Sequence, residues 1–578
     1  MRSGNWVMLA AAVLGACSSA DAMAPSRSSA GPASGGAFAG NVAPSGGGSG
    51  GSAAVVPPEQ EEDQSYRAPV VSGRWVWTAN PDTGKIAVVD AKSFTVRLAD
   101  AGLGPTFLTA LPTAQDTSKA LVINVGSHDA TLLSAQATGA VTSVGPLPLQ
   151  PDANAWTVSK TGKYAIAWMD SHALTPDPTQ GYQDISVVDL RADPPVATRL
   201  SVGFLPSRIF IDDAERRAFV VASSGISVID LGADPAPRVL REWPVSTDLR
   251  EDVQTRDVSV LPDGSYALVR HEGSAVITLV SLADGTMSPV TLPGPVTDLD
   301  LVSDAQSALA VVRSAAAPLP APDAGQAGAS NGEAGAGGAS GAPAEASGGD
   351  AGAANQLAPT LGSMLVILPI PGIFSEPSSF VSVSLAEVFG LVNIAPRGTT
   401  ALLYSNAIAS SHVTLLETGA GDSYLTHRTV DVRGTVHDVF PSPDGAYAIA
   451  SLVAKDGGKP GFAAIPVSRV LPSRVQTTDA PVFAVAQSDG ATPRAIVTVS
   501  DGVATFAAYV VRMPELVIDS VKLPSKPLPG ATGLVPEAGM AYIAQAHPQG
   551  RITFINLESG VPRTITGFEI AAQVTDGN

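Results

Sequence analysis

Short apolar runs alternate with polar turns along most of the chain, and the clearest example lies at residues 255–284. An apolar run precedes the turn Pro-Asp-Gly at 262–264, and two further apolar runs follow it. Runs of this length that are rich in β-branched residues and bounded by Gly, Pro and Asp predict β-strands. Another strand is expected after Asp284 and Gly285. The pattern therefore predicts a unit of four short strands.

This four-stranded unit recurs along the chain. A small residue opens the second strand, after a turn signal, in nine copies: Ala120, Ala165, Ala218, Ala267, Ala308, Ala401, Ala448, Ala495 and Ala541. Most neighbouring copies are 41 to 53 residues apart, a spacing typical of four-stranded propeller blades. Trp75 takes the place of the alanine in a tenth copy. We therefore expect an all-β fold, a single large β-propeller with eight to ten blades.

The two ends of the repeat region are complementary. The first copy begins with a second strand at Gly73, and residues 568–578 supply only a first strand and its turn. We expect the C-terminal strand to complete the N-terminal blade and to place Ile570 near Val76. Such pairing would remove the two sheet edges at the seam of the ring. The alternative is a pair of smaller propellers.

Two segments have a composition that cannot bury a core. Residues 18–68 are rich in Ser, Gly, Ala and Pro, which indicates a disordered tether. Residues 315–358 are similar and interrupt the sixth repeat between its second and third strands. We expect a disordered insertion within a propeller that spans 69–578. The alternative is a linker between two five-bladed halves.

The first 17 residues have the features of a secretion signal. Arg2 precedes an apolar stretch at 6–16 that is too short for a stable membrane anchor. The sequence Leu-Gly-Ala-Cys at 14–17 resembles the lipobox of bacterial lipoproteins. The resemblance implies that Cys17 is linked to diacylglycerol and acylated, and that Ser18 directs the chain to the outer membrane. The alternative is cleavage after Ala22 and secretion.

The repeats also resemble the YVTN-type propeller repeats of bacterial and archaeal surface proteins. The matching features are the Pro-Asp-Gly turn, a second strand that ends in Asn at 77–80, and third strands that end in Val-Val-Asp or Val-Ile-Asp, as at 86–90 and 226–230. The resemblance covers nearly all of 73–578. It implies a propeller at the cell envelope, but this fold carries many functions.

Polar residues concentrate in the loops that follow the second strands. Because strands alternate in direction within a blade, all of these loops emerge on one side of the ring, which we call the loop face. Loops on a rigid scaffold often carry binding residues. We expect this face to bind a protein or a small-molecule ligand. Its candidate residues are His128, Asp129, Asp170, His172, His271, Glu272, Arg313, His412 and His547.

Several function classes are disfavoured by the sequence. The net charge is −19 and no run of Lys or Arg is present, which argues against nucleic-acid binding. No histidine pair has metal-ligand spacing and no nucleophile elbow is present, so we assign no metal, cofactor or catalytic residue.

Three functions stay open. The first is a non-catalytic, lipid-anchored scaffold of the cell envelope, which predicts a dispersed polar rim. The second is a lactonase-like or dehydrogenase-like propeller enzyme, which predicts three or more titratable side chains that converge at the channel mouth. The third is a structural envelope protein without a ligand.

Overall fold

The computed structural model describes residues 66–114, 117–170, 181–246, 255–314, 362–418, 426–454, 458–489, 492–503, 505–523, 529–569 and 573–576. These residues form ten antiparallel sheets, nine with four strands and one with five. Each sheet consists of consecutive strands and is one blade. The prediction of an all-β propeller is confirmed, with ten blades.

The blades follow one another in chain order. Blades 1 to 5 contain β1 Val70–Ser72, β2 Trp75–Asn80, β3 Lys85–Asp90 and β4 Val96–Asp100; β5 Pro105–Ala114, β6 Thr117–Asn124, β7 Asp129–Gln136 and β8 Val141–Pro148; β9 Ala155–Val158, β10 Tyr164–Trp168, β11 Asp184–Asp189 and β12 Val196–Ser201; β13 Arg208–Ile211, β14 Arg217–Ala222, β15 Gly225–Asp230 and β16 Arg238–Trp243; β17 Arg256–Val260, β18 Tyr266–His271, β19 Val276–Ser281 and β20 Met287–Thr291.

Blades 6 to 10 contain β21 Val296–Leu301, β22 Ser307–Ser314, β23 Gly362–Pro369 and β24 Val381–Ser384; β25 Leu391–Ile394, β26 Thr400–Tyr404, β27 His412–Glu417 and β28 His427–Asp431; β29 Thr435–Pro441, β30 Tyr447–Val453, β31 Gly461–Pro466 and β32 Arg474–Thr477; β33 Val482–Gln487, β34 Arg494–Ser500, β35 Phe506–Arg512 and β36 Val517–Val521; β37 Pro529–Val535, β38 Met540–Gln545, β39 Arg551–Asn556, β40 Pro562–Thr566 and β41 Gln573–Asp576. A short helix α1, Gly372–Ser375, follows β23, and a 3-10 turn, Pro536–Ala538, precedes β38. In the described ranges no helix has the length and apolar character needed to cross a bilayer.

Apolar side chains between neighbouring blades hold the ring together. Successive residues of a strand point to opposite faces of its sheet. In β14, Ala218 and Val220 therefore pack against blade 3, whereas Phe219 and Val221 pack against blade 5. Ten such clusters occur, one for each pair of neighbouring blades, blades 10 and 1 included. A single ring closes, and the alternative of two smaller propellers is wrong.

The repeated alanines occupy equivalent positions in the ring. All nine lie on second strands and are fully buried, and each packs against the preceding blade. In blade 1 the equivalent residue is Val76, which packs against blade 10, while Trp75 packs against blade 2. The position of the repeated alanine in blade 1 is therefore held by Val76 and not, as expected, by Trp75, which is one residue earlier.

The seam of the ring differs from the expectation. Blade 1 has a first strand of its own, because β1 pairs with β2 through Val71 and Val76. The C-terminal strand β41 pairs instead with β40, where Val574 lies opposite Ile565, and forms the outer edge of blade 10. The predicted pairing of the C-terminal strand with the N-terminal blade is therefore wrong. Blade 1 offers no free inner position, whereas the edge of β40 has backbone groups to pair. Ile570 itself lies outside the described residues.

The long insertion falls within one blade. Strands β22 and β23 pair along their whole length, from Ser307 and Pro369 to Ser314 and Gly362, so the chain leaves and re-enters the same sheet. Residues 315–361 lie outside the described ranges, as do residues 1–65 with the signal segment, Cys17 and most of the expected tether. Contacts of the ring begin at Tyr66, whose buried side chain meets Phe568 edge to face.

Candidate ligand-binding site

The described candidate residues all lie where a second strand passes into a third strand. His128 and Asp129 lie between β6 and β7, Asp170 follows β10, and His271 and Glu272 stand at the end of β18. Arg313 is near the end of β22, His412 begins β27 and His547 follows β38. The alternating strand directions put these positions on the loop face. His172 lies outside the described residues.

The ring spreads these residues around its circumference. His128 of blade 2 and His412 of blade 7 lie on opposite sides of the ring, as do His271 of blade 5 and His547 of blade 10. Within the described part of the chain, no three His, Cys, Asp or Glu residues are grouped so that they could hold a metal ion. The candidate residues thus form a dispersed polar rim.

A cavity opens on the loop face between blades 2 and 3. Its volume is about 190 Å³. Its walls come from the inner strand β5, the end of β6, the β6–β7 loop and the connector 149–154 that leads to blade 3. Phe107, Ile123, Leu149 and Ala153 supply the apolar walls, and His128 stands at the rim. One predicted site residue therefore lines a concave site.

Asn124 ends β6 at the edge of this cavity, and its side chain lies on the opposite face of the sheet, toward blade 1 and close to Gly102. It is fully buried, and its Nδ2 donates hydrogen bonds to Asp129 Oδ1 at 2.6 Å and to Thr131 Oγ1 at 3.0 Å. A carboxylate only accepts, so the amide nitrogen has to face Asp129. Asn124 Oδ1 is left without a hydrogen-bond partner among the described residues. An unsatisfied buried acceptor costs about 1–3 kcal/mol, and this oxygen is closed to solvent and to the cavity.

Hydrogen bonds hold the connector in place around the cavity. The Leu149 N–H donates to the carbonyl of His128 at 3.0 Å. The buried Gln150 donates through Nε2 to the Ala167 carbonyl at 2.9 Å, and its Oε1 accepts from Ser186.

The far end of the connector is fixed in the same way. Asn154 Oδ1 accepts from the Asp170 N–H at 2.6 Å, and Asn154 Nδ2 donates to the Asp170 carbonyl at 3.2 Å. The cavity is therefore preformed. Of the predicted residues His128 lines it, while Asp129 and Asp170 bond to its lining residues Asn124 and Asn154.

The backbone at the rim adopts an uncommon conformation. His128 has φ +53° and Asp152, in the connector, has φ +66°, both in the left-handed region that non-glycine residues rarely occupy. Both residues line the cavity. Backbone strain of this kind often accompanies binding sites, where surrounding contacts hold it in place.

A second cluster of polar residues lies at the inner wall of the ring, on the first strands β13, β17 and β21. The residues predicted from the loops do not include it. Asp257 of β17 pairs with Arg208 of β13 and with Arg270 of β18, each at 3.3 Å. Burial, together with the negative charges of Asp298 and Asp257, raises the pKa of Asp300 to about 7. Burial also raises the pKa of Asp298. Asp300 is therefore partly protonated near neutral pH.

A sequence signal for this group was available. In β21 the acidic residues Asp298 and Asp300 alternate with Leu299 and Leu301. Such alternation places one polar face opposite one apolar face. Because Leu299 packs against blade 5, Asp298 lies on the face toward blade 7, where it accepts a hydrogen bond from the Val392 N–H at 2.8 Å.

Comparisons with known proteins show no family for this chain. No known protein family matches the sequence, and no curated protein matches it. A crystal structure of a eukaryotic initiation factor is 10% identical over 78% of this chain and 94% of its own, with a TM-score of 0.46. Dihydro-heme d1 dehydrogenase NirN in complex with DHE is 10% identical over 79% and 73%, with a TM-score of 0.40. Kuenenia stuttgartiensis hydrazine synthase is 14% identical over 74% and 99%, with a TM-score of 0.31. The resemblance to YVTN-type repeats stays a prediction.

Proposed function

We propose that this chain is a lipid-anchored, non-catalytic β-propeller of the cell envelope that binds a small ligand on its loop face. The observation that carries the proposal is the preformed cavity between blades 2 and 3, with its apolar walls and the polar residues His128, Gln150 and Asn154 in its lining. Concave, mostly apolar sites with a few placed polar groups are the usual form of ligand sites.

The lipid anchor rests on the N-terminal sequence. Arg2, the apolar stretch and the Leu-Gly-Ala-Cys motif at 14–17 together resemble a lipoprotein signal. Acylated Cys17 would carry two or three acyl chains, which is enough for stable anchoring where one chain is not. The Ser- and Gly-rich residues after it would hold the ring away from the membrane as a flexible tether.

The non-catalytic role is supported by the spread of the candidate residues. An enzyme would bring several titratable groups within hydrogen-bond reach of one reacting atom. His128, His271, His412 and His547 belong to blades 2, 5, 7 and 10, and the cavity takes only the first of them. A binding site needs no such convergence.

The anchor is tested by metabolic labelling with radioactive palmitate. We expect the chain to take up label and to fractionate with the outer membrane. Cys17→Ala should lose the label and appear in the soluble fraction, whereas Ser19→Ala should behave like the natural chain. A Cys17→Ala variant that still takes up label would refute the anchor. Cleavage of the signal and secretion of the chain would then be favoured.

The ligand site is tested by a fragment screen on the full chain, read by ligand-observed NMR. Val125 lines the cavity at its exposed rim, so Val125→Trp should block entry without disturbing the core. Val503, also exposed in a loop between a second and a third strand, gives the matched control Val503→Trp. Fragments that bind both variants with the same affinity as the natural chain would show that the binding site is not this cavity.

A second candidate function, a propeller enzyme, is supported by the inner wall. Asp300, with a pKa raised to about 7, lies in the same electrostatic group as Asp298, Arg208 and Arg270. A carboxylate with a pKa near the working pH suits general acid–base catalysis. The test is hydrolysis of a lactone and ester panel. Turnover with a pH inflection near 7 that Asp300→Asn abolishes would favour the enzyme over the scaffold.

A further inference from the structure

The cavity between blades 2 and 3 limits the size of the group that it can hold. Its volume is about 190 Å³, and apolar cavities of roughly 150 Å³ in protein cores hold one benzene molecule. Phe107, Ile123, Leu149 and Ala153 supply its walls. The part of a ligand that fits inside is therefore about the size of a single six-membered ring.

Two amide side chains of the lining are already bonded to the protein. Gln150 donates through Nε2 to the Ala167 carbonyl at 2.9 Å, and its Oε1 accepts from Ser186. Asn154 accepts at Oδ1 from the N–H of Asp170 at 2.6 Å and donates through Nδ2 to the carbonyl of the same residue at 3.2 Å. Each amide thus has a protein partner at its oxygen and at its nitrogen.

The other polar groups of the lining also leave the interior apolar. The side chain of Asn124 lies on the opposite face of its sheet, toward blade 1. The carbonyl of Phe107 accepts a hydrogen bond from Trp156 Nε1 at 3.1 Å. His128 and Asp152 are exposed and stand at the rim. Every polar side chain of the lining is therefore bonded to the protein, turned away from the cavity or placed at its mouth.

The interior consequently favours a hydrocarbon group. A polar substituent inside it would give up its hydrogen bonds to water without replacing them, and a charged group would lose still more. An apolar group gains free energy when it leaves water for such a space. Any polar part of a ligand is better placed at the mouth, where water still reaches it.

We propose that this cavity takes a single apolar hydrocarbon ring, with any polar part of the ligand left outside at the mouth. The ring packs against Phe107, Ile123 and Leu149, and the mouth beside His128 and Asp152 accommodates the polar part. This inference rests on the proposed ligand-binding function and names the class of ligand. Ligands that have to bury a polar group, or a second ring, bind more weakly than their total apolar area would suggest.

The test measures the affinity of small probes for the full chain by ligand-observed NMR. Toluene has no polar group, p-cresol has one hydroxyl that can stay at the mouth, and hydroquinone has a hydroxyl at each end of the ring, so that one of them must be buried. We expect toluene and p-cresol to bind with similar Kd values on the order of 1 mM. Hydroquinone should bind at least about tenfold more weakly, because its inner hydroxyl loses its hydrogen bonds to water.

A further probe, 2-naphthol, tests the size limit. It is larger and more apolar than p-cresol, so an open apolar surface would bind it more tightly, in proportion to the area that it buries. A cavity for one ring cannot enclose the second ring. We therefore expect 2-naphthol to bind no more tightly than p-cresol.

Three variants locate the binding. Val125→Trp closes the mouth and should abolish toluene binding, whereas Val503→Trp, at an exposed position of blade 9, should leave it unchanged. Ala153→Leu fills the cavity from its wall and should also abolish toluene binding. Because Ala153 is buried, the comparison of Val125→Trp with Val503→Trp is the decisive readout if Ala153→Leu fails to fold.

The outcomes separate the ligand class from the site itself. Hydroquinone binding as tight as that of toluene, lost in Val125→Trp, would overturn the apolar class and leave the ligand-binding function standing. Tighter binding of 2-naphthol than of p-cresol would overturn the limit to a single ring. Failure of all four probes to bind, or binding that persists in Val125→Trp, would overturn this inference, and a fragment screen that also found no ligand at this cavity would overturn the proposed function as well.

Discussion

Glu569 Oε1 accepts a hydrogen bond from Asn80 Nδ2 at 3.0 Å, across the seam between the last and the first blade. The same oxygen accepts from Tyr66 Oη at 3.0 Å and from Thr83 Oγ1 at 2.7 Å. One carboxylate near the C-terminus thus holds three groups of the N-terminal blade. The first and last blades meet through side chains and apolar packing, where strand pairing was expected.

We predict that Glu569→Ala weakens the seam. The substitution removes the acceptor of three hydrogen bonds, and a hydrogen bond to a charged group contributes about 1.5–3 kcal/mol when it is shielded from water. Glu569 is itself exposed, so the total loss should stay near about 1–2 kcal/mol. A chemical denaturation curve measures it. Glu558→Ala, an exposed glutamate of the same blade, is the control and should leave the curve unchanged.

Deletion of residues 573–578 should leave the ring closed. Strand β41 pairs with the outer edge of blade 10, whereas Val76 and Val89 of blade 1 pack against Tyr542 of β38 and Phe554 of β39. Small-angle scattering should give an unchanged radius of gyration, with a small fall in the unfolding temperature. An opened or aggregated ring would mean that β41 takes part in closure.

Enlargement of a repeated alanine should destabilise one blade interface. Ala218 is fully buried between blades 3 and 4. Ala218→Leu adds three carbon atoms to packed space, and overpacking typically costs about 1–3 kcal/mol. The unfolding temperature reports the loss. Val196→Leu, on the exposed edge strand β12, adds one carbon atom where there is room and should have little effect.

The blades were predictable because their signals are local. A turn rich in Gly and Asp followed by a buried alanine, as at Ala267 or Ala448, repeats regardless of the neighbouring blade. The third strands that end in an acid also have a local cause. Asp90 and Asp189 accept hydrogen bonds from the N–H groups of Lys92 and Arg191, each at 2.9 Å, and so form the turn themselves.

The seam was not predictable from local signals. Strand β1 has only three residues after Pro69, too few for an alternating pattern. The segment Gln573–Asp576 reads as a strand, but its sequence does not say which edge it joins. That choice depends on which edge of the finished ring is free, so it is made by the tertiary structure.

The site was predictable only in part. The strand order places His128, Asp129 and Asp170 on the loop face, as expected. The cavity depends on the path of the connector 149–154 and on the left-handed backbone of His128 and Asp152. Neither is required by the residues concerned, because His and Asp adopt other conformations more readily.

The inner wall gives a pH-dependent prediction. The pKa of Asp300 is about 7 in the folded chain and about 4 in an unfolded chain. Between these values the folded state binds a proton that the unfolded state has released. Stability from this group is therefore present at low pH and falls as the pH rises to 7, by at most about 1.4 kcal/mol per pH unit.

Asp300→Asn isolates this contribution, since the amide cannot ionise. Other groups change the absolute stability with pH, so the quantity to measure is the difference in unfolding free energy between the variant and the natural chain. The difference should grow in favour of Asp300→Asn from pH 4 to 7 and level off above it. Glu376→Gln, which alters an exposed carboxylate of the same blade, should show no such trend. A difference for Asp300→Asn that is flat across this range would mean that the charges of Arg208 and Arg270 offset burial and keep Asp300 ionised.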